Sequence, residues 1–328
     1  MEETLLHKNE ITELKESQEG QNSEAANQKP INRVKGIWDI VWKFLLAYVI
    51  FLIIPTIYII KIMINNIDLI KTAKNNDIYT IVEIFVNSNL KWAITISLVL
   101  VIIVFTKTHW VRISFGQLKE MKILPFICIL TILTISVAFF DYGYIGIITP
   151  YIEDATSQVI ELETEKAVLS GVCTTLIIGI LAPILEEIMF RGVLLGGLLN
   201  IKCHVWTAII LSGIIFGLYH ESIIQFVGCT IFGIITGWLY CRTRSLIPGI
   251  VMHIINNSIP TIMSLIDDSE ENTNLTIAEE LLKSRNELLL YMVISLPLII
   301  GCLWWLNKKL PKDKKEISNE NLSVQTIS

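Results

Sequence analysis

The chain has 328 residues, 52% of them apolar and 17% charged, with a mean hydropathy of +0.58. That is too apolar for an ordinary soluble domain and places the protein in a lipid bilayer. The formal net charge is −5, and no basic patch is interleaved with aromatic residues, so nucleic acid is excluded as a partner.

Residues 1–35 mix seven acidic and five basic side chains with Gln, Asn and Ser. They hold too little apolar surface to fold alone, so a disordered N-terminal segment, 1–36, is expected. It is unlike a cleaved secretory signal, and the first apolar run should stay as an anchor. Apolar runs follow at 44–60, 92–105, 123–140, 167–185, 205–219, 223–240, 246–266 and 288–306. Most approach the roughly 20 residues a spanning helix needs. The fold class is therefore all-α: a polytopic bundle of about eight transmembrane helices over 37–310, with a short tail at 311–328. Between the first two runs, Ile78, Ile81, Val82 and Phe85 recur at helical spacing. They suggest either an interfacial helix or an ordinary loop helix packed on the bundle.

Lys and Arg collect in alternate connections: before run one, between two and three, between six and seven, and after run eight. The intervening connections at 141–165 and 267–287 are acid-rich. By the positive-inside rule both termini are cytoplasmic. Six cysteines (Cys128, Cys173, Cys203, Cys229, Cys241, Cys302) lie singly and read as small apolar side chains rather than a disulfide or zinc framework. Gly192-x-x-x-Gly196, Gly213-x-x-x-Gly217 and Gly233-x-x-x-Gly237 allow close helix approach and mark spans four to six as the tightly packed centre. Pro183, Pro260 and Pro297 each remove a helical hydrogen bond, so kinks are expected there.

The chemistry gathers between 167 and 266. Nineteen uncharged residues, 167–185, lead into Glu186, Glu187 and, four further on, Arg191. Ionisable groups in a span are expensive, about 3 kcal/mol each even on mild scales, and mark a functional site by default. Glu187 and Arg191 share a helix face and can pair; Glu186 is turned about 100° away and is the freer carboxylate. On span five Phe216 can pack beside His220, and on span seven His253 and Asn257 share a face. Taken singly, such pairs are more often interhelical hydrogen-bond glue or a structural staple. Their depths argue for more. Counted from the cytoplasmic ends at 1.5 Å per residue, Glu186 and His220 lie roughly 21 and 22 Å up, and His253 and Asn257 roughly 10 to 17 Å. One pocket in the membrane can hold all four. Glu186 with His220 can then hold and deprotonate a water, while His253 and Asn257 donate to the oxygen of a scissile carbonyl. Glu186, His220 and His253 equally make a His₂Glu set for Zn²⁺ with an open water position, and spacing does not decide between the two. Neither Gly-x-Ser-x-Gly nor His-Glu-x-x-His occurs, which lowers the serine-hydrolase and zincin readings.

Glu186-Glu187-x-x-x-Arg191, Phe216-x-x-x-His220 and His253-x-x-x-Asn257, in this order on late spans, resemble the three signatures of the CPBP family. That family comprises CAAX prenyl proteases and bacteriocin-processing enzymes, also called Abi proteins. The resemblance covers about residues 167–266. It implies an intramembrane endopeptidase of eight helices, embedded in a bacterial cell membrane, acting on a membrane-associated peptide or protein. Glu186 and His220 would activate water, His253 and Asn257 would form the oxyanion site, and Glu187 with Arg191 would brace the helix. The family is often labelled metalloprotease, and a metal-free glutamate mechanism is also argued for it; no cofactor and Zn²⁺ both stay open, the metal-free form being favoured. Two rivals are a non-catalytic bacteriocin-immunity or regulatory partner that keeps the polar cluster for structure, and a proton-coupled transporter. The latter predicts a continuous polar path and a repeated half, and the sequence has neither.

Overall fold

The computed structural model describes residues 32–67, 90–148 apart from 112, 117 and 119–121, residue 151, 176–267 apart from 221, and 285–310. The segment around Ile78 to Phe85, most of the acid-rich connections, Cys173 and the tail 311–328 lie outside the described residues, so the expectations placed on them have no counterpart there.

Eight helical rods are described and, among the described residues, no strand. They are α1 (Arg33–Asn65), α2 (Leu90–Lys107), α3 (Ile123–Ile148), a fourth run at 177–200, α5 (Val205–Tyr219), α6 (Ile223–Thr243), α7 (Ile247–Asp267) and α8 (Arg285–Lys309). α1, α3, α6 and α8 are long and apolar enough to cross a membrane; α2 and α5 are shorter apolar helices. The all-α polytopic reading holds. The fourth run, called α4 here, changes pitch along its length. π-helical turns at Ile177–Leu181 and Ile188–Leu195 alternate with α-helical Ala182–Glu187 and Gly196–Asn200. Pro183 lies two residues past the end of the first π-turn, as expected where a proline removes a backbone donor and the pitch adjusts around it.

Local chemistry sets several boundaries. Asn32 caps α1 by accepting from the Lys35 amide at 3.0 Å, which starts the helix four residues inside the segment expected to be unstructured. Arg244, in the left-handed region at φ 52, ends α6, and the Ser245 hydroxyl accepts from the Ile247 amide to open α7. α3 continues to Ile148 rather than ending at 140. Asp141, read from the sequence as the first residue of an acidic loop, is therefore helical and lies within the span.

The rod ends predicted to share one membrane face do meet. Gly36 at the start of α1 abuts Ile201 after α4. Ser245 donates to the Ser114 carbonyl between α2 and α3, at 2.5 Å. Arg242 at the end of α6 donates to the Asn307 side chain and to the Leu310 carbonyl beyond α8. Exposed Trp38, Trp42, Trp206 and Trp304 lie toward the same ends, where amphipathic rings settle at the headgroup level. The Lys308 ammonium sits 3.9 Å above the Trp304 ring.

Close packing at glycines joins two pairs of rods in particular. Gly213 and Gly217 on α5 meet the α6 backbone and Thr230, and Gly233 lies against Gly213. The second pair was not anticipated: Gly143 and Gly146 on α3 admit Leu288 and Met292 of α8. The core includes Leu130, Ile188, Leu195, Phe216, Leu239 and Met252. Leu45, Ile57, Leu124, Leu218, Val293 and Ile300 face outward, the arrangement a bilayer favours because lipid tails are as apolar as leucine.

Candidate active site

α4 carries the two carboxylates in mid-run, not at a span end. The turn Ala182–Glu187 is α-helical and the π-turn starts at Ile188; such single π-turns concentrate at functional sites because they re-aim side chains without breaking the helix. Glu187 is wholly buried and pairs with Arg191 at 2.8 Å, and Arg191 is buried as completely. The pair expected from the four-residue spacing is present, and it reaches further than one helix. Arg191 donates to the Thr236 hydroxyl at 2.5 Å and to the Gly233 carbonyl at 3.3 Å on α6, and its guanidinium lies 4.5 Å above the Phe216 ring of α5. The Glu187 oxygen that meets Arg191 also accepts from His253 Nδ1 of α7, at 3.2 Å. The other oxygen faces Gly249, where a Cβ would come within 2.5 Å of it. Thus the brace ties α4, α5, α6 and α7 together.

His253 is held between both carboxylates. While Nδ1 bonds Glu187, Nε2 stands 3.5 Å from Glu186 Oε2, an electrostatic approach rather than a hydrogen bond. Glu186 differs from its neighbour in environment: its side chain is 15% exposed against 0% for Glu187, and it lacks the close ion pair that Arg191 makes with Glu187. It is indeed the freer carboxylate.

Phe216 organises both imidazoles. Its ring lies 4.8 Å from His220 and 5.6 Å from His253, edge-on to each, with Phe190 at 5.0 Å behind it. His220 is the C-cap of α5, and its Nδ1 lies 2.9 Å from the Phe216 carbonyl. A carbonyl only accepts, so Nδ1 carries the proton and Nε2 keeps a lone pair, the form a base needs. Asn257 is steered by α4: its amide donates to the Ile178 carbonyl at 3.3 Å and its oxygen accepts from Asn256 at 3.3 Å. Gly179 and Ser258 meet one residue along, the Ser258 hydroxyl donating to the Gly179 carbonyl. The first π-turn and the second half of α7 are thereby fastened side by side.

Every residue singled out from the sequence falls in this region, on α4, the end of α5 and α7. Thr236 and Gly249 were not foreseen, and Gly233 was singled out for helix packing only. A threonine in a membrane helix ordinarily bonds its own preceding turn, as Thr236 also does to the Phe232 carbonyl, so nothing in its spacing announces a partner on α4. Among the described residues no three His, Cys, Asp or Glu side chains are grouped closely enough to hold a metal ion. The His₂Glu set is not assembled in this arrangement, and no step below is routed through zinc.

Residues 168–259 match the family model described as Type II CAAX prenyl endopeptidase Rce1-like. The chain is also 32% identical over 134 residues to a Bacillus subtilis (strain 168) protein described as "Putative membrane peptidase YdiL". That match takes in 39% of this chain and 53% of the relative, so the chain spans about half the length of the curated relative it matches. No solved structure matches the chain. The family match contains all three motifs, from Glu186 to Asn257. Over residues 168–259, this integral membrane chain is thus similar to the CAAX prenyl endopeptidases.

Proposed function

We propose that the protein is an intramembrane endopeptidase that hydrolyses a peptide bond in a membrane-associated peptide or protein by a metal-free glutamate mechanism. The observation that carries this reading is the Glu186 carboxylate, 15% exposed where Glu187 is fully buried, standing 3.5 Å from an imidazole whose other nitrogen is fixed by Glu187. Glu187 is tied through Oε1 to both Arg191 and His253, whereas no cation pairs with Glu186 so closely and its side chain keeps some exposure, as a group that handles water needs.

Glu186 takes a proton from a water whose oxygen adds to the scissile carbonyl carbon, and the Nε2 lone pair of His220 helps to hold that water. Negative charge then builds on the carbonyl oxygen, where His253 and Asn257 supply positive charge and hydrogen-bond donors. Glu187 fixes the orientation of the His253 ring through Nδ1, and Nε2 also carries a donor when the ring is an imidazolium, the form that supplies positive charge here. Collapse of the tetrahedral intermediate breaks the C–N bond, and the proton held by Glu186 passes to the departing amine. Both termini lie in the cytoplasm in this reading, with the substrate entering from the bilayer.

The test compares membrane peptides by mass spectrometry from cells carrying the wild-type chain or Glu186→Gln. Cleavage products that depend on Glu186 are expected. Identical peptide sets at equal protein levels would instead support the non-catalytic partner.

A further inference from the structure

The three motifs lie on α4, α5 and α7, and none of them on α6. Yet α6 holds the cation at their centre. Arg191 is wholly buried, and among the described residues both hydrogen bonds of its guanidinium leave from Nη2 and end on α6. One goes to the Thr236 hydroxyl at 2.5 Å and the other to the Gly233 carbonyl at 3.3 Å. Nη1 stands 2.8 Å from Glu187 Oε1 as an ion pair without hydrogen-bond alignment, and Nε bonds no acceptor. Charge attraction acts at any angle, whereas a hydrogen bond fixes direction. The rotation of the guanidinium therefore depends on Nη2, and there chiefly on Thr236, the shorter of the two contacts.

The Thr236 hydroxyl is suited to that hold. It carries one proton, and a guanidinium only donates, so the proton goes to the Phe232 carbonyl one turn back, at 2.9 Å, and the lone pairs face Arg191. Thr236 also packs toward α7: a Cβ at Gly249 would come within 3.6 Å of the Thr236 Cβ and 2.5 Å of Glu187 Oε2. Glu187 is thus bounded by Arg191 at one oxygen and by Gly249 at the other, and Oε1 falls 3.2 Å from His253 Nδ1. Arg191 reaches the imidazoles by a second route. Its guanidinium lies above the Phe216 ring, and that ring stands edge-on to both His220 and His253.

We propose that Thr236 is a positioning residue of the hydrolytic site: by fixing the Arg191 guanidinium it sets where Glu187 Oε1 lies, and hence how the His253 ring is turned toward the scissile carbonyl. The proposal rests on the protease reading above. Thr236 acts through Arg191 and Glu187 rather than on the reacting atoms, so its loss should slow the chemical step and leave substrate binding unchanged.

The test uses the full chain, isotope-labelled at the histidine nitrogens and purified in one detergent, as wild type, Thr236→Val, Thr236→Ser and Thr236→Ala. The nuclear magnetic resonance signal that vanishes in His253→Gln identifies His253. Thr236→Val keeps the branched shape and loses the acceptor; it should move the His253 signal, and Thr236→Ser should leave that signal in place. Peptides spanning Glu186-dependent cleavage sites then serve as substrates. Thr236→Val should lower kcat about 10- to 100-fold at an unchanged KM, and Thr236→Ser should recover it; Thr236→Ala repeats the loss should the valine variant fail to fold. A hydroxyl kept only for structure would lower the melting temperature but leave the His253 signal and the kcat of folded protein as in wild type, and that result overturns the proposal. A fall in kcat that Thr236→Ser shares overturns it too, as does a rise in KM alone. If Glu186-dependent products exist and Thr236→Val forms them at the wild-type rate, this inference alone is removed, whereas the absence of any such product removes the protease reading and this one with it.

Discussion

Glu186 and Glu187 are adjacent in sequence and opposite in environment, and that contrast governs how each should respond to substitution. Glu187 and Arg191 are paired with no exposure to speak of, so removing one leaves an uncompensated charge in a low dielectric. Arg191→Met should therefore cost about 3–5 kcal/mol, read as a lower melting temperature, and the double variant Arg191→Met with Glu187→Gln should recover part of the loss. Glu186 makes no hydrogen bond at Oε2. Glu186→Gln should leave folding within about 0.5 kcal/mol while lowering peptide hydrolysis by about 10²–10⁴-fold, measured as turnover of an identified substrate. A strong zinc chelator should leave that turnover unchanged. Loss of activity on chelation, with recovery on adding zinc, would favour the ligand set Glu186, His220 and His253 instead.

Between elements, the decisive contacts are glycines facing backbone. Gly213 meets the Ile234 amide and the Thr230 carbonyl of α6, and Gly143 meets the Leu288 carbonyl of α8. Backbone cannot rotate away as a side chain can, so Gly213→Val and Gly143→Val should each destabilise by about 1–3 kcal/mol through overpacking. Gly301 on α8 has nothing within 4 Å; Gly301→Ala should be neutral or raise helix stability by about 0.5–1 kcal/mol. Thermal denaturation in one detergent, applied to all three variants, separates close approach from helix propensity. The α4 run has the opposite character: its π-turns lie on both sides of Ala182–Glu187, and the first of them holds Asn257 through the Ile178 carbonyl.

At the level of the whole molecule, the contacts of Gly36 with Ile201, Ser245 with Ser114, and Arg242 with Asn307 place the Lys- and Arg-bearing connections on one face. We expect that face to be cytoplasmic. Epitope tags at either terminus should then be protected from protease in right-side-out vesicles and cleaved in inverted ones, and protection of one tag only in inverted vesicles would overturn the count of eight spans.

The sequence determined the class of molecule and the identity of the site. Apolar runs fixed eight rods because lipid forces each backbone to satisfy itself within its own helix, and spacing of four put Glu187 on Arg191 and Phe216 on His220 because helix geometry is local. Even so, hydropathy ended α3 at 140, since it scores Asp141 as a loop residue and cannot see Gly228 making room for it. Only the tertiary structure decided that His253 sits between Glu186 and Glu187, that Thr236 anchors Arg191, that Gly249 admits the Glu187 carboxylate, and that Asp141 of α3 packs over Gly228 of α6. Each of these joins residues on different helices, and one helix's periodicity carries no information about the rotation of the next.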